Sequence, residues 1–137
     1  FLYLPVDAEA ASLRRATVLL VEDETAVRSV VRRMLLGQGF AVREARDGEA
    51  ALRLWHAERA HIRAVITDVV MPVMGGRDLA RELRLLDHDL PVLFMSAYAG
   101  DEPGLLDGVD EPRRLLAKPF TSEGLLDALR NLLAESV

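Results

Sequence analysis

A chain of 137 residues with 17 Lys plus Arg, 22 Asp plus Glu, no Cys and 50% hydrophobic residues fits one compact domain with a sizeable core, neither disordered nor a disulfide scaffold. The formal charge of −5 argues against nonspecific nucleic-acid binding, and the missing thiols exclude cysteine catalysis, thiolate metal sites and disulfides, which suits a cytoplasmic protein. The longest uncharged stretch, eleven residues from Leu90 to Gly100, falls short of the roughly 18 that span a bilayer, so no direct membrane contact is expected.

The chain opens on Phe1, and no basic leader with an apolar stretch follows, as in a piece of a longer protein. Residues 1–16 are expected to be the end of a preceding domain plus a linker. Phe1 to Pro5 is a short strand-like run, and the stretch from Val6 to Ala16 is polar and Ala-rich. From Thr17 onward, strand-length apolar runs alternate with helical periodicity, the pattern of a parallel sheet covered on both faces. Val18 to Val21 is the first strand, and a stripe of Val27, Val30, Val31, Met34 and Leu35 forms a helix ending near Gly37 and Gly39. Phe40 to Ala45 reads as the second strand, followed by a helix over Asp47 to His56 with Ala51, Leu52 and Trp55 inward. Ala64 to Thr67 is the third strand, stopping at Asp68, and Leu79, Leu83 and Leu86 stripe the third helix. Pro91 to Met95 and Arg114 to Ala117 are the fourth and fifth strands. Leu125, Leu129, Leu132 and Leu133 stripe the last helix. Between them, Asp101 to Asp110 contains Pro103, Gly104 and Gly108, which disfavour a helix interior by about 3 kcal/mol for Pro and about 1 for each Gly, so this segment is expected to be short or mobile.

In an open parallel sheet the ligand crevice lies beyond the carboxyl ends of the strands. Glu22, Asp23 and Glu24 follow the first strand, Asp68 the third, Ser96 the fourth and Lys118 the fifth. Clustered carboxylates repel by roughly 1 kcal/mol per pair at 4 Å in water, and by several times that when partly buried. A hard divalent cation such as Mg²⁺ offsets this. A hydroxyl and an ammonium beside it are the parts that stabilise a transferring phosphoryl group, and Asp68 can serve as its acceptor. Lys118 is the only Lys among the 17 basic residues, which suggests a position needing a compact point charge in place of a planar fork.

At these residues the sequence resembles the receiver domain of two-component response regulators. Val-Leu-Leu-Val-Glu-Asp-Glu at 18–24, Ile-Thr-Asp-Val-Val-Met-Pro at 66–72 with Gly76, Phe-Met-Ser-Ala at 94–97 and Lys-Pro-Phe at 118–120 are similar to the family's motifs. They stand in the family's order, separated by 45, 28 and 22 residues from Asp23 to Asp68 to Ser96 to Lys118. The resemblance implies a flavodoxin-like (βα)5 fold over 17–137, a doubly wound five-stranded parallel sheet in the order 2-1-3-4-5. It implies that Asp68 accepts a phosphoryl group from a histidine kinase domain or a histidine phosphotransfer protein, with Mg²⁺ or Mn²⁺ as cofactor. Asp23 and Asp68 would be direct metal ligands, Glu22 a ligand through water, and the Val70 carbonyl the third protein ligand. Ser96 would bond a phosphoryl oxygen and Lys118 would pair with the phosphoryl group, with a cis peptide before Pro119. Such a domain is not an enzyme by itself, apart from its own phosphorylation and autodephosphorylation. Phe1 to Pro5 resembles the closing strand of histidine-kinase ATP-binding domains, which places the chain at the end of a hybrid sensor kinase.

Two positions depart from the family pattern. Leu115, three before the lysine, replaces an aromatic that switches in many receivers, so a relay or sink fits better than a conformational switch. Val70 and Tyr98 leave no carboxylate or amide to orient an attacking water. Other classes fit less well. Haloacid-dehalogenase phosphatases carry Asp-x-Asp after the first strand, whereas Asp68 is followed by Val69 and Val70, and no flavin-binding loop or aromatic sandwich is evident. His56, His61 and His88 read as surface residues, Met71, Met74 and Met95 as packing residues, and the Arg residues of the first and third helices as a solvated face.

Overall fold

The structure, a computed structural model, describes residues 16–97 and 104–135. Five parallel strands, β1 (Thr17–Val21), β2 (Ala41–Ala45), β3 (Ile62–Asp68), β4 (Val92–Ser96) and β5 (Arg113–Ala117), form one sheet in the order β2-β1-β3-β4-β5. The helices are α1 (Thr25–Gly37), α2 (Gly48–Glu58), α3 (Gly76–Leu86) and α4 (Ser122–Glu135). Both the doubly wound fold and the strand order read from the sequence are therefore present.

Alternation along the strands explains why the sheet is covered on both faces. Val18, Leu20, Ala64, Ile66, Leu93 and Met95 point to one face and pack with Val31 and Leu35 of α1 and Leu125, Leu129, Leu132 and Leu133 of α4. Leu19, Val21 and Val65 point to the other, against Ala51 and Trp55 of α2 and Leu79 and Leu83 of α3. Val18 to Val21 are completely buried, the condition that made this run legible as a central strand. Two stripe assignments were too wide. Val30 is 43% exposed on the flank of α1, and Leu86 is 47% exposed because the last turn of α3 runs past the sheet. The strand-like run at Phe1 to Pro5, with the linker up to residue 15, lies outside the described residues; Ala16 is already buried, and its carbonyl accepts from the Ala41 amide at 3.1 Å.

Where a helix would normally connect β4 to β5, the described part of the connection, 104–112, is built of turns. Gly104 and Gly108 adopt φ of 79° and 86°, left-handed conformations that interrupt any helix there, while Leu106 and Val109 still reach inward to cover Val92, Phe94 and Ala80. Arg84 of α3 compensates for the missing helical packing. Its Nε donates to the Leu90 carbonyl at 2.7 Å, Nη1 to Asp110 O at 2.7 Å, and Nη2 to Pro112 O. Burial lowers the Arg84 pKa, opposed by the charges of Asp110, Asp87 and Glu111, and the guanidinium is held against carbonyl oxygens. Arg84→Met should therefore lower unfolding stability by on the order of 2 kcal/mol, through carbonyls left without their charged donor. A urea titration checks this, and a midpoint within error of wild type would show that the clamp is dispensable.

Candidate functional site

The strand register assembles the site. Val21 is level with Thr67, Asp68 with Met95 and Ser96 with Ala117, so the residues that follow β1 and β5 emerge beside the ends of β3 and β4. Asp68 is the last residue of β3, and Ser96, almost fully buried, is the last of β4. The Lys118 amide donates to the Ser96 carbonyl at 3.0 Å, and the Lys118–Pro119 peptide is cis.

From that anchor the Lys118 side chain crosses to β1 and β3. Its Nζ lies 3.1 Å from Asp68 Oδ2 and 3.2 Å from Glu22 Oε2, so one ammonium serves two carboxylates. Burial by itself would lower the Lys118 pKa, but the hydrogen bond and charge of Asp68, joined by those of Glu22, outweigh it and raise it. Glu22 is wholly buried, and burial pushes its pKa up to about 7, with the Asp68 charge adding to the rise and the Glu24 amide and Lys118 opposing it. The Glu24 amide donates to Glu22 Oε1 at 3.2 Å. Asp23 is exposed, and carboxylate oxygens of Glu22, Asp23 and Asp68 lie within 4.8 Å of one another. Three hard oxygen donors open to water on the Asp23 side suit a cation such as Mg²⁺, which keeps several waters and uses few protein ligands.

The loop after β3 is held tightly on one side and bare on the other. A Cβ placed on Gly76 would lie 2.1 Å from the Asp68 carbonyl oxygen, so only glycine lets the start of α3 approach the end of β3. A Cβ on Gly48 would meet the Met74 sulfur at 2.6 Å, which ties the same loop to α2. Val69 and Met71 are buried beneath it, whereas Val70 and Val73 are 61% and 107% exposed. Val73 bends the loop at φ 67°, a left-handed conformation that costs a non-glycine residue roughly 1–2 kcal/mol.

Of the residues selected from sequence, Glu22, Asp23 and Asp68 lie together with Lys118 between Glu22 and Asp68, Ser96 ends the neighbouring strand β4, and Val70 lies in the adjoining loop. Tyr98 lies outside the described residues. The three His are exposed, and Met71, Met74 and Met95 pack in the core clusters, as read. Sequence reasoning missed two arginines by assigning all those of α1 and α3 to a solvated face. One is Arg84; the other is Arg28, whose Nη1 donates to the Glu22 carbonyl at 2.7 Å. No local pattern marks them, because both bond backbone oxygens on other elements.

Glu22 also sets a pH dependence in metal-free buffer. Its folded pKa stands above the ordinary value of 4.5, so its stabilising contribution is complete below about 4.5 and is lost as pH rises through about 7. Relative to Glu22→Gln, the wild-type protein should lose on the order of 1–3 kcal/mol of unfolding free energy across that window. Chemical denaturation at several pH values tests this, and a difference that stays flat would mean that burial does not hold the proton.

A sequence profile of the response regulator receiver domain matches residues 18–130. The chain is 40% identical over 118 residues to the sensor kinase CckA of Brucella abortus, covering 86% of this chain and 12% of that protein. It is also 40% identical over 119 residues to the response regulator MprA of Mycolicibacterium vanbaalenii, covering 85% of this chain and 49% of the relative. The chain thus spans half or less of the length of these curated relatives. Among solved structures, the receiver domain of the hybrid histidine kinase CckA superposes with a TM-score of 0.74 at 34% identity, covering 86% of this chain and 99% of that one. The chemotaxis protein CheY4 of Vibrio cholerae gives a TM-score of 0.74 at 30% identity, covering 86% and 98%.

Proposed function

This chain belongs to the response regulator receiver domain family of two-component signalling, and from that membership we propose that it accepts a phosphoryl group on Asp68 from a phosphohistidine. The observation that carries this reading is the Lys118 ammonium, 3.1 Å from Asp68 and 3.2 Å from Glu22, beside carboxylates gathered within 4.8 Å. In the transfer an Asp68 carboxylate oxygen attacks phosphorus, the phosphorus–nitrogen bond breaks, and the donor imidazole leaves with the electron pair. Lys118 gives up one carboxylate partner to pair with the phosphoryl oxygens, and the Ser96 hydroxyl donates to another. Glu22, Asp23, Asp68 and the Val70 carbonyl are the groups that would hold Mg²⁺ or Mn²⁺, Glu22 through water. When bound, the metal neutralises charge on the carboxylates and the phosphoryl oxygens.

The donor is a histidine kinase domain or a histidine phosphotransfer protein, and neither nucleic acid nor a membrane takes part. Similarity to CckA, together with the kinase-like run at Phe1 to Pro5, supports a hybrid kinase in the cytoplasm, with 1–16 the end of the preceding domain and linker and 17–137 the receiver. No described helix is long and apolar enough to cross a membrane. As an isolated domain it turns over no external substrate; its chemistry is its own phosphorylation and dephosphorylation. A relay or sink suits it better than a switch. Leu115, half-buried against the cluster of Val92 and Phe94, has no aromatic ring to flip, and Arg84 fixes the end of the connection into β5.

Incubation with acetyl phosphate and Mg²⁺ should add one phosphoryl mass to the wild-type protein and none to Asp68→Asn, as read by intact-mass spectrometry. Lys118→Arg should slow the reaction at least tenfold despite keeping the charge, because the wider fork does not fit between Glu22 and Asp68. Modification persisting in Asp68→Asn would refute the assignment.

The phosphoryl group should also be long-lived, since an apolar side chain at Val70 offers nothing to orient water. Val70→Asn should shorten its half-life severalfold when decay is followed after donor removal. An unchanged half-life would show that water access at this position is not limiting.

A further inference from the structure

We infer that Arg28 is a positioning residue for the acidic turn, setting the direction in which Asp23 leaves the end of β1. The inference rests on the reading of Glu22, Asp23 and Asp68 as the metal-holding group. Arg28 Nη1 donates to the Glu22 carbonyl at 2.7 Å, while its Nε faces Glu44 Oε1 at 3.4 Å. Its side chain is only 18% exposed, well below the 45% of Arg32 on the same helix.

The geometry gives this bond its reach. The Glu22 carbonyl and the Asp23 amide belong to one planar peptide, so fixing the carbonyl fixes the plane from which the Asp23 Cα departs. Glu22 has other restraints: its amide donates to the Ala45 carbonyl at 3.1 Å, and its carboxylate accepts from the Glu24 amide and from Lys118. Asp23 has none of this kind. Its carboxylate is exposed, and among the described residues no group donates to it or pairs with it. Its place within 4.8 Å of Glu22 and Asp68 is therefore transmitted through the backbone, and the strongest hold on that backbone is a charge-assisted bond from Arg28. Glu44 on β2 in turn holds the guanidinium.

Positioning and simple electrostatics predict opposite signs. Arg28 is a cation near a cation site, so removing its charge alone would tighten Mg²⁺ binding, whereas losing the clamp loosens it. Isothermal titration of Mg²⁺ into the intact chain distinguishes the two, at a temperature where denaturation curves show every variant folded. Arg28→Met should bind Mg²⁺ about tenfold more weakly, at the lower end of the effect of removing an outer-shell partner. Arg28→Lys keeps the charge but does not span both the carbonyl and Glu44, and should show an intermediate loss. Arg33→Met removes an equal charge from α1 at an exposed residue that bonds only the Ser29 carbonyl and touches neither the turn nor Glu44, and should bind as wild type or slightly more tightly. Unchanged or tighter binding by Arg28→Met overturns the inference. If that variant does not fold, unchanged affinity in Arg28→Lys overturns it equally. A wild-type protein that takes up no Mg²⁺ overturns the metal reading itself, and the inference falls with it.

Discussion

Three carboxylates drawn together at the end of a sheet repel one another, and the ammonium of Lys118 is what makes their proximity tolerable. It spans from β5 to Glu22 and Asp68, replacing water that burial has removed from Glu22. Without a cation between them, two ionised groups in a partly dry crevice would either part or take up a proton. The raised pKa of Glu22 shows that even with Lys118 the balance is incomplete. A site with that residual deficit favours further positive charge, the electrostatic ground for the divalent metal proposed to bind there.

Everything beneath this arrangement serves to hold strand ends level. Central strands buried on both faces cannot slip by one residue without turning an apolar side chain out of one core and into the other. That register sets Asp68 beside Met95 and Ser96 beside Ala117, and the Lys118 amide then bonds the Ser96 carbonyl. Gly76 permits the close approach of α3 to the Asp68 carbonyl, so backbone packing, more than side-chain flexibility, fixes where Asp68 sits.

The opposite side of the molecule reaches order by different means. Between β4 and β5 the chain has too many helix breakers to cover the sheet with a regular helix, and turns carrying Leu106 and Val109 do so instead. Arg84 supplies donors to the Asp110 and Pro112 carbonyls of this connection and to the Leu90 carbonyl just before β4. This face is thus held by the buried Leu106 and Val109 together with the Arg84 guanidinium.

The amino-acid sequence alone determined the fold class, the order of elements and which polar residues stand at the strand ends. Period-two and period-3.6 patterning is local, and functional side chains in an open sheet must stand at strand ends, so Glu22, Asp23, Asp68, Ser96 and Lys118 could be named by position. Edges of the stripes were less legible: Val30 and Leu86 match the helical period, but whether a flank residue is covered depends on what lies opposite it. Only the tertiary structure decided that Lys118 holds Glu22 and Asp68 together, that Glu22 rather than Asp23 is the buried acid, and that Arg28 and Arg84 face inward. The Lys118 bonds join residues 50 and 96 positions apart, and even the Arg28 bond to Glu22, six residues away, depends on how the helix sits against the strand end. An arginine that bonds a backbone carbonyl leaves no signature in sequence, because every residue at the other end has that oxygen to offer.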